Sequence, residues 1–189
     1  MKFDIGLERD IKKLEQQGIS IYDSVRRPYG TGFLNQLNSM HNGQLIADRQ
    51  TGLQWMNIVY GIVNYYEALD LLDKVNDEKK FGFRNWRLPT ADECYSIMKP
   101  KQYNGFHLED VFVHKDKTVW TVDNKSSYFG VLEEKRLFKD LNWTVDFADG
   151  TIKDMWHDCD RTRQAINDNQ NHYSLFVRTI ENFRGEQWN

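Results

Sequence analysis

Asn85-Trp86-Arg87-Leu88-Pro89-Thr90-Ala91-Asp92-Glu93 is the stretch on which the fold turns. Leu88 precedes a proline, whose ring clashes with a helical conformation at the residue before it, so Trp86–Pro89 reads as a short extended piece. Thr90 and Glu93 then have the spacing of a capping box, in which the Thr90 hydroxyl accepts from the Glu93 amide and Glu93 reaches back to the Thr90 amide. The spacing predicts a helix from this point to about Lys99, before Pro100, with Ala91, Cys94, Tyr95 and Met98 on its apolar face. Cys94 there is a small core residue. Trp86 sits at the junction where strand and helix must pack.

Upstream, Asn64 precedes Glu67 by three, and Tyr65, Ala68, Leu69, Leu72 and Val75 keep helical spacing up to Asn76. Before that, Leu45-Ile46-Ala47-Asp48 and Leu53-Gln54-Trp55-Met56 flank Arg49-Gln50-Thr51-Gly52 and read as two short strands joined by a turn. Residues 19–43 show turn chemistry and no period. Leu7, Ile11 and Leu14, followed by Gly18, mark a short N-terminal helix. Downstream, Val119–Val122 is a strand candidate. Trp143, Val145 and Phe147 alternate with Thr144 and Asp146, and Asp149-Gly150 carries the type I′ signal for a hairpin that returns through Ile152–Trp156. Leu175–Ile180 reads as a last strand. Helices early and antiparallel hairpins late make an α+β class. The expected organisation is a helix and extended arm over 1–43, the main domain over 44–181 and a polar tail over 182–189.

These segments fall in a particular order: Asp48-x-x-Thr51-Gly52-Leu53-x-Trp55, a helix around Ala68, Asn85-Trp86-Arg87-Leu88-Pro89-Thr90 with Glu93, Trp120-Thr121, Val145-Asp146-Phe147-x-Asp149-Gly150, and Phe176-Val177-Arg178. Over about residues 44–180 the chain resembles a bacterial domain family of unknown function typified by the C-terminal domain of a collagen-like adhesin. The resemblance implies a C-type-lectin-like fold, and its adhesin member implies surface binding of sulfated sugars. Members often carry a cysteine in the first helix and another in the final strand, placed to pair. Here those positions match Leu72 and Thr179. Loss of both together is what folding in a reducing compartment implies.

Composition narrows the function classes. The net charge is −3, with 25 basic and 28 acidic residues interspersed and no basic stripe, which argues against nucleic acid as a partner. No apolar run reaches the ~18 residues of a membrane span, and Glu8, Arg9, Asp10, Lys12 and Lys13 do not suit a signal peptide. Two cysteines, Cys94 and Cys159, make no disulfide framework and are expected to be reduced. The expectation is a cytoplasmic protein, with a homo-oligomer compatible.

Chemistry-bearing motifs are sparse. Trp55, Trp86, Trp120, Trp143 and Trp156 lie in periodic segments and read as core. The calcium-lectin strings are missing, and Asp154, Asp158 and Asp160 fit no known cation loop, so no metal and no cofactor are expected. His157-Asp158-Cys159 offers a Cys–His juxtaposition, but adjacent side chains seldom aim at one another and no further zinc ligand has the right spacing. A fold relative that makes formylglycine uses a late cysteine pair; only Cys159 stands there in this chain. What remains is the polar stretch 158–173, between two strands, with Arg161, Arg163, Asn167, Asn169, Asn171, His172 and Tyr173 as candidate binding residues. The sequence therefore points to a non-catalytic recognition module with a protein or glycan partner and no catalytic residue. The alternatives are a hydrolase using His157 and nearby acids, or a structural subunit docking through residues 1–43.

Overall fold

The computed structural model describes residues 16, 29–30, 32–115, 117–132, 135–157 and 172–180. The expected N-terminal helix and the polar tail lie outside the described residues. The class is α+β, as the sequence implies: the described residues from 29 onward form two α-helices and two largely antiparallel sheets.

The first sheet has the order β1-β2-β3-β9, with β1 Leu37–Met40, β2 Leu45–Asp48, β3 Leu53–Met56 and β9 Phe176–Thr179. All its pairings are antiparallel, and Trp55 stands opposite Val177. Every residue of β2 and β3 is buried, which explains why these strands lack the alternation of a one-sided strand. Ile46, Trp55 and Val177 enter one apolar cluster with Cys94, Tyr95 and Met98. Leu45, Met56 and Phe176 enter another with Ala68, Val75, Trp86 and Leu88.

Those residues come from the two helices. Helix α1 is Tyr65–Asp77, capped by Asn64 with the reciprocal Glu67 bond, and α2 is Ala91–Ile97, capped by Thr90 with Glu93. Both capping boxes stand where the sequence placed them. Helix α2 ends two residues before the expected Lys99, with Met98 already extended.

The second sheet has the order β4-β8-β5-β6-β7: β4 Ile62–Val63, β8 His172–Tyr173, β5 Thr118–Leu132, β6 Lys135–Asp146 and β7 Thr151–His157. Between Trp120 and Asn124 the β5–β6 register slips, so Thr121, Val122 and Asp123 bulge from the ladder. The bulge docks on the Trp86–Thr90 segment: Val122 N donates to Pro89 O at 2.8 Å, and Asp123 Oδ2 accepts from Ala91 N at 2.5 Å.

Three features differ from the sequence reading. Residues 37–40, read as part of an irregular arm, form an edge strand. The β6–β7 connection is not a two-residue type I′ turn: residues 147–150 connect Asp146 to its partner Thr151, and Gly150 alone in that loop has a positive φ, +70°. A type I′ turn needs positive φ at both central residues, and the Asp146 carboxylate instead organises the loop by accepting from Ala148 N and Asp149 N. The unread Asn104-Gly105 pair makes the tight turn, with φ +53° and +86° between the bridged Tyr103 and Phe106.

Candidate functional site

The two most specific sequence strings are consumed by architecture. Asp48 is fully buried, and its carboxylate accepts from Asn35 Nδ2 at 2.6 Å, Gln36 N at 2.9 Å, Gln50 N at 3.0 Å and Thr51 Oγ1 at 2.8 Å. Gly52, at φ +72°, returns its amide to Asp48 O, which closes the β2–β3 loop in the same way as the Asp146–Gly150 loop. The Asp-x-x-Thr-Gly-Leu-x-Trp string is thus a hairpin and its core. Lys99 joins this network: its Nζ donates to Phe33 O at 2.5 Å and to Asn35 Oδ1, and lies 3.5 Å from Glu109. Burial lowers the Lys99 pKa, opposed by the Glu109 and Asp48 carboxylates.

In the second string, Trp86 is buried, donates its indole N–H to Lys80 O at 3.0 Å, and has its backbone bracketed by the Asn76 side chain. Phe81 and Phe83 meet it edge-on. Arg87 holds Glu93 through two bonds of 2.6 and 2.5 Å, which raises the Arg87 pKa and fixes the residue that completes the α2 cap.

The candidate binding residues divide. Arg161, Arg163, Asn167, Asn169 and Asn171 lie outside the described residues, as do Asp158, Cys159 and Asp160. His172 and Tyr173 are half-buried and form β8, inserted between β4 and β5. The His172 ring meets Trp120 edge-on at 4.6 Å, and Lys117 Nζ sits 4.8 Å over the Tyr173 ring. Trp120 is itself buried, donates to Val63 O at 3.0 Å, and meets Tyr65 at 5.7 Å. The two residues therefore anchor the end of the polar stretch, and its other end leaves β7 at His157, which pairs with Asp140 in the ladder. Sequence reading placed Tyr65 on its helix without the contact to Trp120, and missed Lys117 and the two-residue strand β4. Pairing between two-residue strands leaves no periodic trace, so nothing local marked them.

Trp55, Trp86, Trp120 and Trp143 are all buried, as expected, while the Trp156 side chain is outside what the structure describes. Cys94 is a free, buried thiol whose pKa burial pushes well up, aided by Glu93, Asp123 and Asp92. Among the described residues no group of three or more His, Cys, Asp or Glu side chains is arranged to hold a metal, and no helix is long and apolar enough to cross a membrane.

The model of the family described as the Lcl C-terminal domain matches residues 44–178. No curated protein and no solved structure matches the chain. With most of its length covered, the chain belongs to this bacterial domain family.

Proposed function

We propose that this Lcl C-terminal domain protein is a non-catalytic recognition module of C-type-lectin-like build, which presents residues 158–173 to a protein or glycan partner in a reducing, cytoplasmic setting. The observation that carries the reading is the anchoring of that stretch. Its last two residues are a strand within the second sheet, held against Trp120 and Lys117, and its first follows a strand paired along its whole length with β6. A polar stretch fixed at both ends on sheet strands is a means of displaying side chains. The pairing of β3 with β9, which brings early and late parts of the chain together, supports the lectin-like build. The free Cys94 and the unpaired positions Leu72 and Thr179 support the reducing compartment. The hydrolase alternative has one geometric point in its favour, the register of His157 opposite Asp140.

The test replaces Arg161, Arg163 and Asn169 together by Ala and leaves the anchors His172 and Tyr173 intact. Binding is read on a glycan array and by capture from the native host, beside the parent. The expected result is an unchanged melting temperature with partner binding at least tenfold weaker, ~1.4 kcal/mol. Equal binding by parent and variant sinks the proposal. Turnover of a hydrolase substrate panel that is lost in His157→Ala replaces it with the enzyme reading.

A further inference from the structure

Backbone strain is concentrated at one place in this fold. Five described residues other than glycine have positive φ, and four of them, His41 (+48°), Asn42 (+55°), Lys79 (+50°) and Phe81 (+57°), belong to two turns that touch through the His41 and Phe81 rings, 4.9 Å apart. A bulky residue in the left-handed region is disfavoured and persists only where its surroundings fix it; such residues cluster where a protein meets its ligands. Here the surroundings do fix it: Trp86 Nε1 holds Lys80 O, and Phe81 and Phe83 pack on Trp86.

The same turns are basic. Segment 79–87 holds Lys79, Lys80, Arg84 and Arg87 and no acid. Arg87 is neutralised by Glu93, but Lys79, Lys80 and Arg84 make no ion pair among the described residues. Lys79, Arg84, His41 and Asn42 are exposed. The acids beside the turn, Asp77 and Glu78, are outnumbered by Lys79, Lys80 and Arg84, and Glu78 is also shared with Lys74 at 4.0 Å.

We infer that the paired turns 41–43 and 79–84 form a docking surface for an acidic peptide segment of a partner protein, with Lys79, Lys80 and Arg84 as the cations that receive its carboxylates. The alternative polyanion, a single-stranded nucleic acid, needs aromatic faces on which bases stack. Those faces are occupied: His41 packs on Phe81, and the Arg178 guanidinium lies 3.5 Å over Phe83. The overall charge of −3 also repels a long polyanion while leaving a short acidic segment free to reach a local cationic patch. The inference uses no residue of the 158–173 stretch and stands whether or not that stretch binds.

The test uses the full chain and a fluorescein-labelled decapeptide of alternating Glu and Ser, with its Gln/Ser counterpart, read by fluorescence anisotropy. The variant is Lys79→Asn, Lys80→Gln and Arg84→Gln; asparagine tolerates the left-handed backbone at position 79, so the turn is kept. The expected result is preference for the Glu peptide, a loss of affinity of at least tenfold in the variant with an unchanged melting temperature, and weakening by added salt. Lys101→Gln, on an exposed lysine elsewhere, should bind as the parent does. Equal binding of both peptides by the parent, equal binding of the Glu peptide by parent and variant, an equal loss in Lys101→Gln, or tighter binding of a single-stranded oligonucleotide of the same charge would each overturn the inference.

Discussion

Asp48→Ala is the sharpest perturbation available in this domain. The carboxylate is fully buried and receives four donors. Two of these, Gln36 N and Gln50 N, are backbone amides that cannot turn elsewhere; Asn35 and Thr51 have rotatable side chains. An unsatisfied buried donor costs about 1–3 kcal/mol, and removing one partner from a buried charged network costs about 3–5 kcal/mol. The two orphaned amides alone give roughly 2–6 kcal/mol, which brackets the second figure, and a loss of about 3–5 kcal/mol is much of a total stability of about 5–15 kcal/mol. In a chain of this size that lowers the melting temperature by about 6–20 °C. Asp48→Asn should cost less, about 1–2 kcal/mol, because one oxygen still serves the two amides while the new amide group opposes Asn35 Nδ2. Urea denaturation followed by circular dichroism and tryptophan fluorescence reads both variants. The reasoning fails if Asp48→Ala melts within about 2 °C of the parent, or if Asn is worse than Ala.

Trp86→Ala should cost about 3–5 kcal/mol by leaving a cavity and orphaning Lys80 O, and a variant that melts like the parent would deny its core role. Gly150→Ala should destabilise more than Gly105→Ala: both positions have positive φ, but an added Cβ at Gly150 comes within 2.7 Å of the His107 ring, whereas at Gly105 it meets nothing within 4 Å. Equal midpoints for the two would refute the contact. In a Cys159→Ser background, Cys94 should react with a thiol reagent only as fast as the protein opens. Its folded pKa is raised, so the unfolded chain loses that proton first and stability should fall as pH rises above about 9. Lys99, with its pKa lowered, works in the opposite direction up to about 10.5, and Cys94→Ala should remove only the fall. A chelator should leave the melting temperature unchanged, and a drop of several degrees would establish a bound cation.

The parts legible in the sequence were those whose determinants are local. A capping box spans four residues, so Asn64/Glu67 and Thr90/Glu93 announced both helices. Trp86 and Cys94 were legible as core because they lie in periodic or proline-bounded segments. Strand β1 was not, since Leu37–Met40 becomes a strand only by pairing with β2 and by the bonds of Asn35 and Gln36 to Asp48. The reach of β5 and β6 beyond Val122 and before Trp143 was missed because polar residues such as Lys125, Ser126 and Ser127 carry no apolar alternation there. The wrong turn type came from reading Asp149-Gly150 alone, when the organising group is the Asp146 carboxylate four residues before the glycine. Of the candidate site, His172 and Tyr173 turned out to be anchors, because Trp120 and Lys117, distant in sequence, cover them.

The seating of β9 beside β3 has a consequence for biosynthesis. Trp55 waits for its neighbour Val177 while the 121 residues between them are made, and the Arg87↔Val177 bridge waits for the same residue. Until then β3, whose residues are buried on both faces in the finished fold, exposes one row of unpaired backbone groups, the kind of edge along which chains associate. Long-range closure of this sort is slow, and the nascent domain cannot complete its first sheet by folding segment by segment. A ribosome stalled before residue 176 should therefore hold a chain with both capped helices within reach and no closed core, and chaperone occupancy should fall away only once Phe176–Thr179 has emerged.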